Sequence, residues 1–150
     1  MYLPRMTVIV ESRLDCVTLA GAMVRAFCIA SGASEMESGQ VEVCIMEAVN
    51  NCVVHAYHSE PCHAIEVLAS LQEGEFRFEV CDQGKPGNPE MLRRSRRHLL
   101  DVDPTSLQAT PESGRGLAII ESIMDGMEYV STAGKNCFSM TKRIACESPK

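Results

Sequence analysis

Residues 34–57 read SEMESGQVEVCIMEAVNNCVVHAY, and this stretch decides the fold. Its apolar positions, Val41, Cys44, Ile45, Ala48, Val49, Cys52, Val53 and Ala56, are spaced 3, 1, 3, 1, 3, 1 and 3. That is the period of one helix face, so the spacing predicts a long helix reaching about Tyr57 with a continuous buried stripe. Ser34, followed three residues on by Glu37, has the form of a capping box and sets the helix start. Ser59-Glu60-Pro61 ends it.

On the N-terminal side, Met6–Val10 is a short β-prone run. Leu14–Ala30 has helical content, with apolar residues at 17, 20, 24, 27 and 28, and the SGAS segment Ser31–Ser34 breaks it. On the C-terminal side, Ile65–Leu71 and Glu75–Cys81 alternate apolar and polar residues around Glu73-Gly74, which predicts a hairpin. Phe76, Phe78 and Val80 form one face of its second strand. Asp82–Pro89 (DQGKPGNP) is dense in chain-bending residues, and a short basic helix is expected over Glu90–Leu99. Leu117–Met124 reads as a helix opening at the preceding glycines. Glu128–Ser131 and Cys137–Ile144 make a second hairpin around Ala133-Gly134-Lys135-Asn136. Strands grouped in hairpins, with two helices in succession, indicate an α+β two-layer sandwich and not a parallel α/β fold.

A chain of 150 residues with 45% hydrophobic residues is one domain's worth of protein, taken here as 1–150, with enough apolar area for a core. No apolar run approaches the ~20 residues of a membrane span, and the opening MYLPRMTVIVES does not read as a secretory signal. Twenty Asp and Glu against fourteen Lys and Arg give a net charge of −6, which argues against non-specific nucleic-acid binding. Arg93, Arg94, Arg96 and Arg97 are a local basic cluster, read as a solvated face or an anion or partner contact. The eight cysteines form no C-x-x-C pair; several lie in apolar stretches, where thiols behave as small hydrophobes. Free thiols throughout and a reduced, cytoplasmic protein are therefore expected.

Three segments can carry chemistry. Glu47 and Asn51 lie one helical turn apart along an edge of the apolar stripe, where both can face a pocket. Asp82-Gln83-Gly84 follows a strand at a sharp turn. Gly114-Arg115-Gly116-Leu117 opens a helix whose free N–H groups and positive dipole end suit phosphate. Each alone has a bland reading: solvated helix surface, a turn, a loose glycine pattern. His55, His58, Cys62 and His63 are close in sequence but match no common zinc frame, so His55 is placed at the pocket wall or the helix end.

Together and in this order, the three segments resemble the ATP-binding boxes of the histidine-kinase, gyrase, Hsp90 and MutL superfamily. E-x-x-x-N is matched by Glu47 and Asn51, the D-x-G-x-G box by DQGKP at Asp82–Pro86, and the late G-x-G by Gly114–Gly116. With EAVNNCVVHAY running into a hairpin, the chain resembles the anti-sigma-factor serine/threonine kinases of bacteria over nearly its whole length.

The resemblance implies the Bergerat-type sandwich: a mixed, mainly antiparallel sheet with helices on one face and a nucleotide lid over about 87–113. It implies an ATP-dependent protein serine kinase that phosphorylates an anti-sigma-factor antagonist and controls sigma-factor availability by partner switching. ATP and Mg²⁺ are the implied cofactors, and the antagonist, a sigma factor and a second copy of the chain the implied partners. Glu47 would be the general base and Asn51 the Mg²⁺ ligand. Asp82 would accept from the adenine amino group. Gly84 would let the backbone pass close to the base. His55, Pro86 and Leu117 would line the nucleotide site, and Gly114, Arg115 and Gly116 would hold phosphates. Pro86 stands where the second box has its second glycine, and the Gly-Thr pair common near the last hairpin is replaced by Gly134-Lys135-Asn136-Cys137. A non-catalytic ATP-binding module that sequesters its partner is the alternative reading.

Overall fold

A computed structural model describes residues 3–87 and 112–145. Along the chain run β1 (Arg5–Glu11), α1 (Leu14–Ala30), α2 (Glu35–Asn51), a π-helical turn (Cys52–Ala56), β2 (Ala64–Gln72), β3 (Glu75–Asp82), α3 (Glu112–Ile123), β4 (Gly126–Thr132) and β5 (Lys135–Arg143). The five strands form one sheet in the order β1-β2-β3-β5-β4, every pair antiparallel. The expected Glu90–Leu99 helix, the arginine cluster and most of the expected lid lie outside the described residues.

The capping box at Ser34 is formed. Glu37 N–H donates to Ser34 Oγ at 3.1 Å and Ser34 N–H donates to Glu37 Oε2 at 3.0 Å, so two otherwise unpaired donors of the first turn are satisfied. Ser34→Ala is expected to cost about 1 kcal/mol, read as a lower urea midpoint at unchanged slope. The Ser34 N–H also holds the Glu37 carboxyl below its ordinary pKa. The stability Glu37 adds is therefore complete above the ordinary carboxylate range and is lost as pH falls through its depressed native value.

The apolar stripe of α2 is buried as its period requires: Val41, Cys44, Ile45, Ala48 and Val49 all face inward. It meets Val17, Ala20, Val24 and Cys28 of α1 and the inward residues of the sheet, with Ile65, Val67, Phe76, Phe78 and Met140 fully enclosed. Each such large side chain contributes about 1.5–3 kcal/mol by leaving water. Ile120 of α3 joins the same core, so the three helices cover one face of the sheet.

Three local features differ from expectation. The long helix is α-helical only to Asn51; Tyr57 N–H then reaches back to Cys52 C=O, and the last turn widens. Tyr57 is what this turn must place: its ring is buried, and its hydroxyl accepts from Gln83 N–H at 2.8 Å and donates to Ala64 C=O at 2.9 Å. The last helix begins at Glu112, so Gly114–Gly116 lie within its first turns and do not precede it. Finally, the cysteines are not all free. Cys81 on β3 lies directly opposite Cys137 on β5, Cα–Cα 4.2 Å, and the two are disulfide-bonded. Sequence spacing hid this pair because antiparallel pairing, not local sequence, makes residues 56 apart neighbours. Cys16, Cys28, Cys44, Cys52 and Cys62 are free thiols.

Candidate nucleotide site

A cavity of about 370 Å³ lies between the end of α2, the loop after β3, α3 and the β4–β5 pair. Its apolar wall comes from Ala48, Cys52, Ala56, Val80, Leu117 and Phe138, and its polar groups include Asn51, His55, His58, Asp82 and Lys85. Concave, mostly apolar space with a few placed polar groups is the usual form of a small-molecule site.

Asp82 is the buried polar centre of this cavity. It has the inward parity of Phe76, Phe78 and Val80, so strand alternation aims its carboxylate at the helix layer. Oδ1 accepts from Gly84 N–H at 2.9 Å and from Asn136 Nδ2 at 2.8 Å. Oδ2 accepts from the Cys52 thiol at 3.4 Å. Burial, reinforced by the Asp82 charge, pushes the Cys52 thiol well above its ordinary pKa, so it stays protonated and donates. A carboxylate has about four acceptor sites. With three taken, Asp82 can accept one further N–H from an occupant.

The loop that follows is pinned at both ends by phenols. Tyr57 holds Gln83 N–H, and Tyr129 Oη accepts from Gly87 N–H at 2.7 Å. Desolvation raises both phenol pKa values, so both hydroxyls stay neutral. Between them Lys85 N–H donates to Ala56 C=O at 2.9 Å. Gly84 is required there because a Cβ would collide with the Ala56 carbonyl. Its close approach is thus to the end of the π-turn.

Of the residues singled out from sequence, Asn51, His55, Asp82, Pro86 and Leu117 line the cavity together. Glu47 does not line it. Its carboxylate packs on α3, where a methyl placed on Gly116 would stand 2.5 Å from Glu47 Oε2. Gly84 backs the wall, and its carbonyl accepts from Asn136 Nδ2 at 3.0 Å. Gly114, Arg115 and Gly116 do not line the cavity either; they sit in the first turns of α3, with Arg115 exposed.

Sequence reading missed His58, Lys85, Tyr129 and above all Asn136, which ties Asp82 to the Gly84 carbonyl. The signal was available in β5: Asn136, Phe138 and Met140 share parity, so a polar side chain points inward beside two core residues.

The chain has relatives in sequence and in fold. The model of the histidine kinase-like ATPase domain matches residues 10–142, and the chain belongs to that family. An anti-sigma F factor of Oceanobacillus iheyensis is 31% identical over 110 residues, 73% of this chain and 71% of the relative. That of Geobacillus stearothermophilus is 25% identical over 137 residues, 91% of this chain and 90% of the relative. Among solved structures, the RsbU and RsbW domains of Rv1364c from Mycobacterium tuberculosis match with TM-score 0.66 at 20% identity, over 94% of this chain and 32% of that one. This chain thus spans about a third of that polypeptide. The SiaB–SiaC complex from Pseudomonas aeruginosa matches with TM-score 0.58 at 18% identity, over 91% of this chain and 89% of that one. Both structures support the fold.

Proposed function

We propose that the protein is an ATP-dependent serine kinase of the anti-sigma-factor type, acting on an anti-sigma-factor antagonist and controlling a sigma factor by partner switching. The observation that carries this reading is the convergence of Asn51 and Asp82 on one cavity, with Glu47 one turn away against α3. The anti-sigma F factors among its relatives support the regulatory role. Among the described residues no helix is long and apolar enough to cross a membrane. Action in the cytoplasm and assembly as a homodimer are part of the proposal.

Asp82 has one acceptor site left for the adenine amino group, which selects adenine over a base offering a carbonyl there. Leu117, Phe138 and Val80 exclude water from the base. His55 and Pro86 complete the nucleotide wall. Lys85, Arg115 and the N-terminal amides of α3 supply positive potential for the phosphates.

Mg²⁺ fits the donor set. It needs only one or two protein oxygens beside phosphates and waters, and Asn51 offers a hard amide oxygen in the cavity wall. Among the described residues no group of three or more His, Cys, Asp or Glu gathers to cage a metal. When bound there, Mg²⁺ would neutralise charge on the phosphates. Glu47 orients the attacking serine hydroxyl and accepts its proton.

The test is transfer of labelled γ-phosphate from ATP to a candidate antagonist. A product stable to acid and labile to strong base is phosphoserine, and this is the expected result. An acid-labile, base-stable product is phosphohistidine and rejects the serine assignment. No transfer to any antagonist, with ATP still bound, favours the sequestration module.

A further inference from the structure

We propose that Cys81 and Cys137 are a reversible thiol–disulfide modification site on the open face of the sheet, and that its state sets the affinity of the nucleotide cavity on the helix-covered face. The inference rests on the ATP-binding reading above and adds a control to it.

Alternation places the bond. Val80 and Asp82 on β3, and Asn136 and Phe138 on β5, point towards the helices, so Cys81 and Cys137 point the other way. The register pairs Cys81 with Cys137 and, one step along, Asp82 with Asn136. The covalent cross-link and the 2.8 Å hydrogen bond from Asn136 Nδ2 to Asp82 Oδ1 therefore join adjacent residues of the same two strands, on opposite faces. Breaking the cross-link replaces a bond by two thiols in non-bonded contact. The two sulfurs must then move apart, which releases the covalent restraint on the strand ends, and the next linkage along is the one that orients Asp82.

Cys81 is buried and Cys137 half-buried, so a small thiol would reach the bond through a cavity that Cys81 lines. A second cavity of about 310 Å³ opens on that side, lined in part by Cys62, His63, Glu66, Cys81, Gln83 and Lys135. Asp82 borders both cavities. Lys135 Nζ lies 3.8 Å from Glu66 Oε1 at this wall, so it carries polar groups of both signs, suited to a small zwitterionic thiol. Of the other free thiols, Cys28 and Cys44 are enclosed in the core, where desolvation pushes each thiol up to about 12, while Cys62 is exposed at this same cavity, so the double variant Cys81→Ser, Cys137→Ser is what assigns the effect to this pair.

The chemistry is ordinary exchange with a small disulfide RSSR. One cysteine thiolate attacks RSSR, forming a mixed disulfide and releasing one RS⁻. The second thiolate attacks the bound cysteine sulfur and releases the other RS⁻. Two protein thiols and RSSR thus become the Cys81–Cys137 bond and two RSH, and excess RSH reverses the reaction.

The experiment compares wild-type protein oxidised with glutathione disulfide and reduced with dithiothreitol, its disulfide content fixed by thiol counting. Titration with Mg·ATP is expected to give affinity on the order of fivefold weaker in the reduced form, the lower end of ordinary coupling between sites. Coupling is reciprocal. Saturating ATP should therefore make the Cys81–Cys137 bond harder to reduce in glutathione buffers by the same factor, a readout independent of phosphotransfer. The double variant Cys81→Ser, Cys137→Ser should bind as the reduced form does and ignore reductant; should it fail to fold, the wild-type comparison decides alone. Equal affinities with an unmoved redox equilibrium would overturn the proposal and leave the ATP reading standing. Eight free thiols after glutathione-disulfide treatment would overturn it as well. Absence of ATP binding in both states would overturn both readings.

Discussion

Glu47→Gln is expected to slow phosphotransfer roughly 10²–10⁴-fold, the range for loss of a general base, while ATP affinity hardly changes. Glu47 stands one turn before Asn51 on α2, and its Oε2 rests on Gly116 in the first turns of α3. It is outside the residues that line the cavity, so its carboxylate contributes little to holding ground-state nucleotide. On the proposed reading, in which the amides of α3 face the phosphates, its place beside that helix is where an attacking hydroxyl would approach. Glutamine keeps the size and nearly the same helix propensity, so the fold should be undisturbed. It loses the ability to take a proton at neutral pH. Initial rates of labelled γ-phosphate transfer, with ATP affinity measured in parallel by calorimetry, separate the two effects. A loss confined to rate identifies an interaction made only in the transition state. Unchanged transfer with unchanged antagonist release would remove Glu47 from the chemistry and make stoichiometric sequestration the better account.

The fold was legible where one periodicity dominated. The 3,1,3,1 spacing in α2, the alternation in β2 and β3, and the Ser34/Glu37 pair each appear as expected, because each depends on neighbours in sequence. The π-turn was not legible. The apolar stripe at Cys52, Val53 and Ala56 suits a wide turn as well as a narrow one, and the choice is coupled to Tyr57, whose hydroxyl bridges Ala64 and Gln83. The helix start at Glu112 was missed because glycines within a first turn look the same in sequence as glycines before it. The candidate site was legible through Asn51 and Asp82, whose motif spacing survives without structure. Asn136 and Cys137 were passed over for a common reason: their partners, Asp82 and Cys81, are fixed by strand register. No local pattern in the last hairpin names β3 as its neighbour.

Asp82→Asn is expected to weaken ATP binding by about 1–3 kcal/mol, the cost of leaving a buried polar group mismatched, which is roughly 5- to 150-fold in Kd. The carboxylate is acceptor-only, and three donors already converge on it: Gly84 N–H, the Asn136 amide and the Cys52 thiol. The asparagine side chain has one acceptor oxygen and an NH₂ group. If the oxygen stays with Gly84 and Asn136, the NH₂ faces Cys52 and the occupant, so the adenine amino group meets a donor. If the amide flips, the NH₂ opposes the Asn136 amide and the Gly84 N–H. Neither orientation satisfies all the groups that the carboxylate satisfies. Asn136→Ala removes one donor to Oδ1 and frees the Gly84 carbonyl, so it should weaken binding less, by about 1 kcal/mol. Because the two side chains touch, their effects should not add; a coupling of at least about 0.5 kcal/mol is expected in the double-mutant cycle. Calorimetric titration of the two single variants and the double variant measures it. Additive losses would mean that Asn136 acts on the nucleotide by some route other than Asp82, and wild-type affinity in Asp82→Asn would remove Asp82 from base recognition.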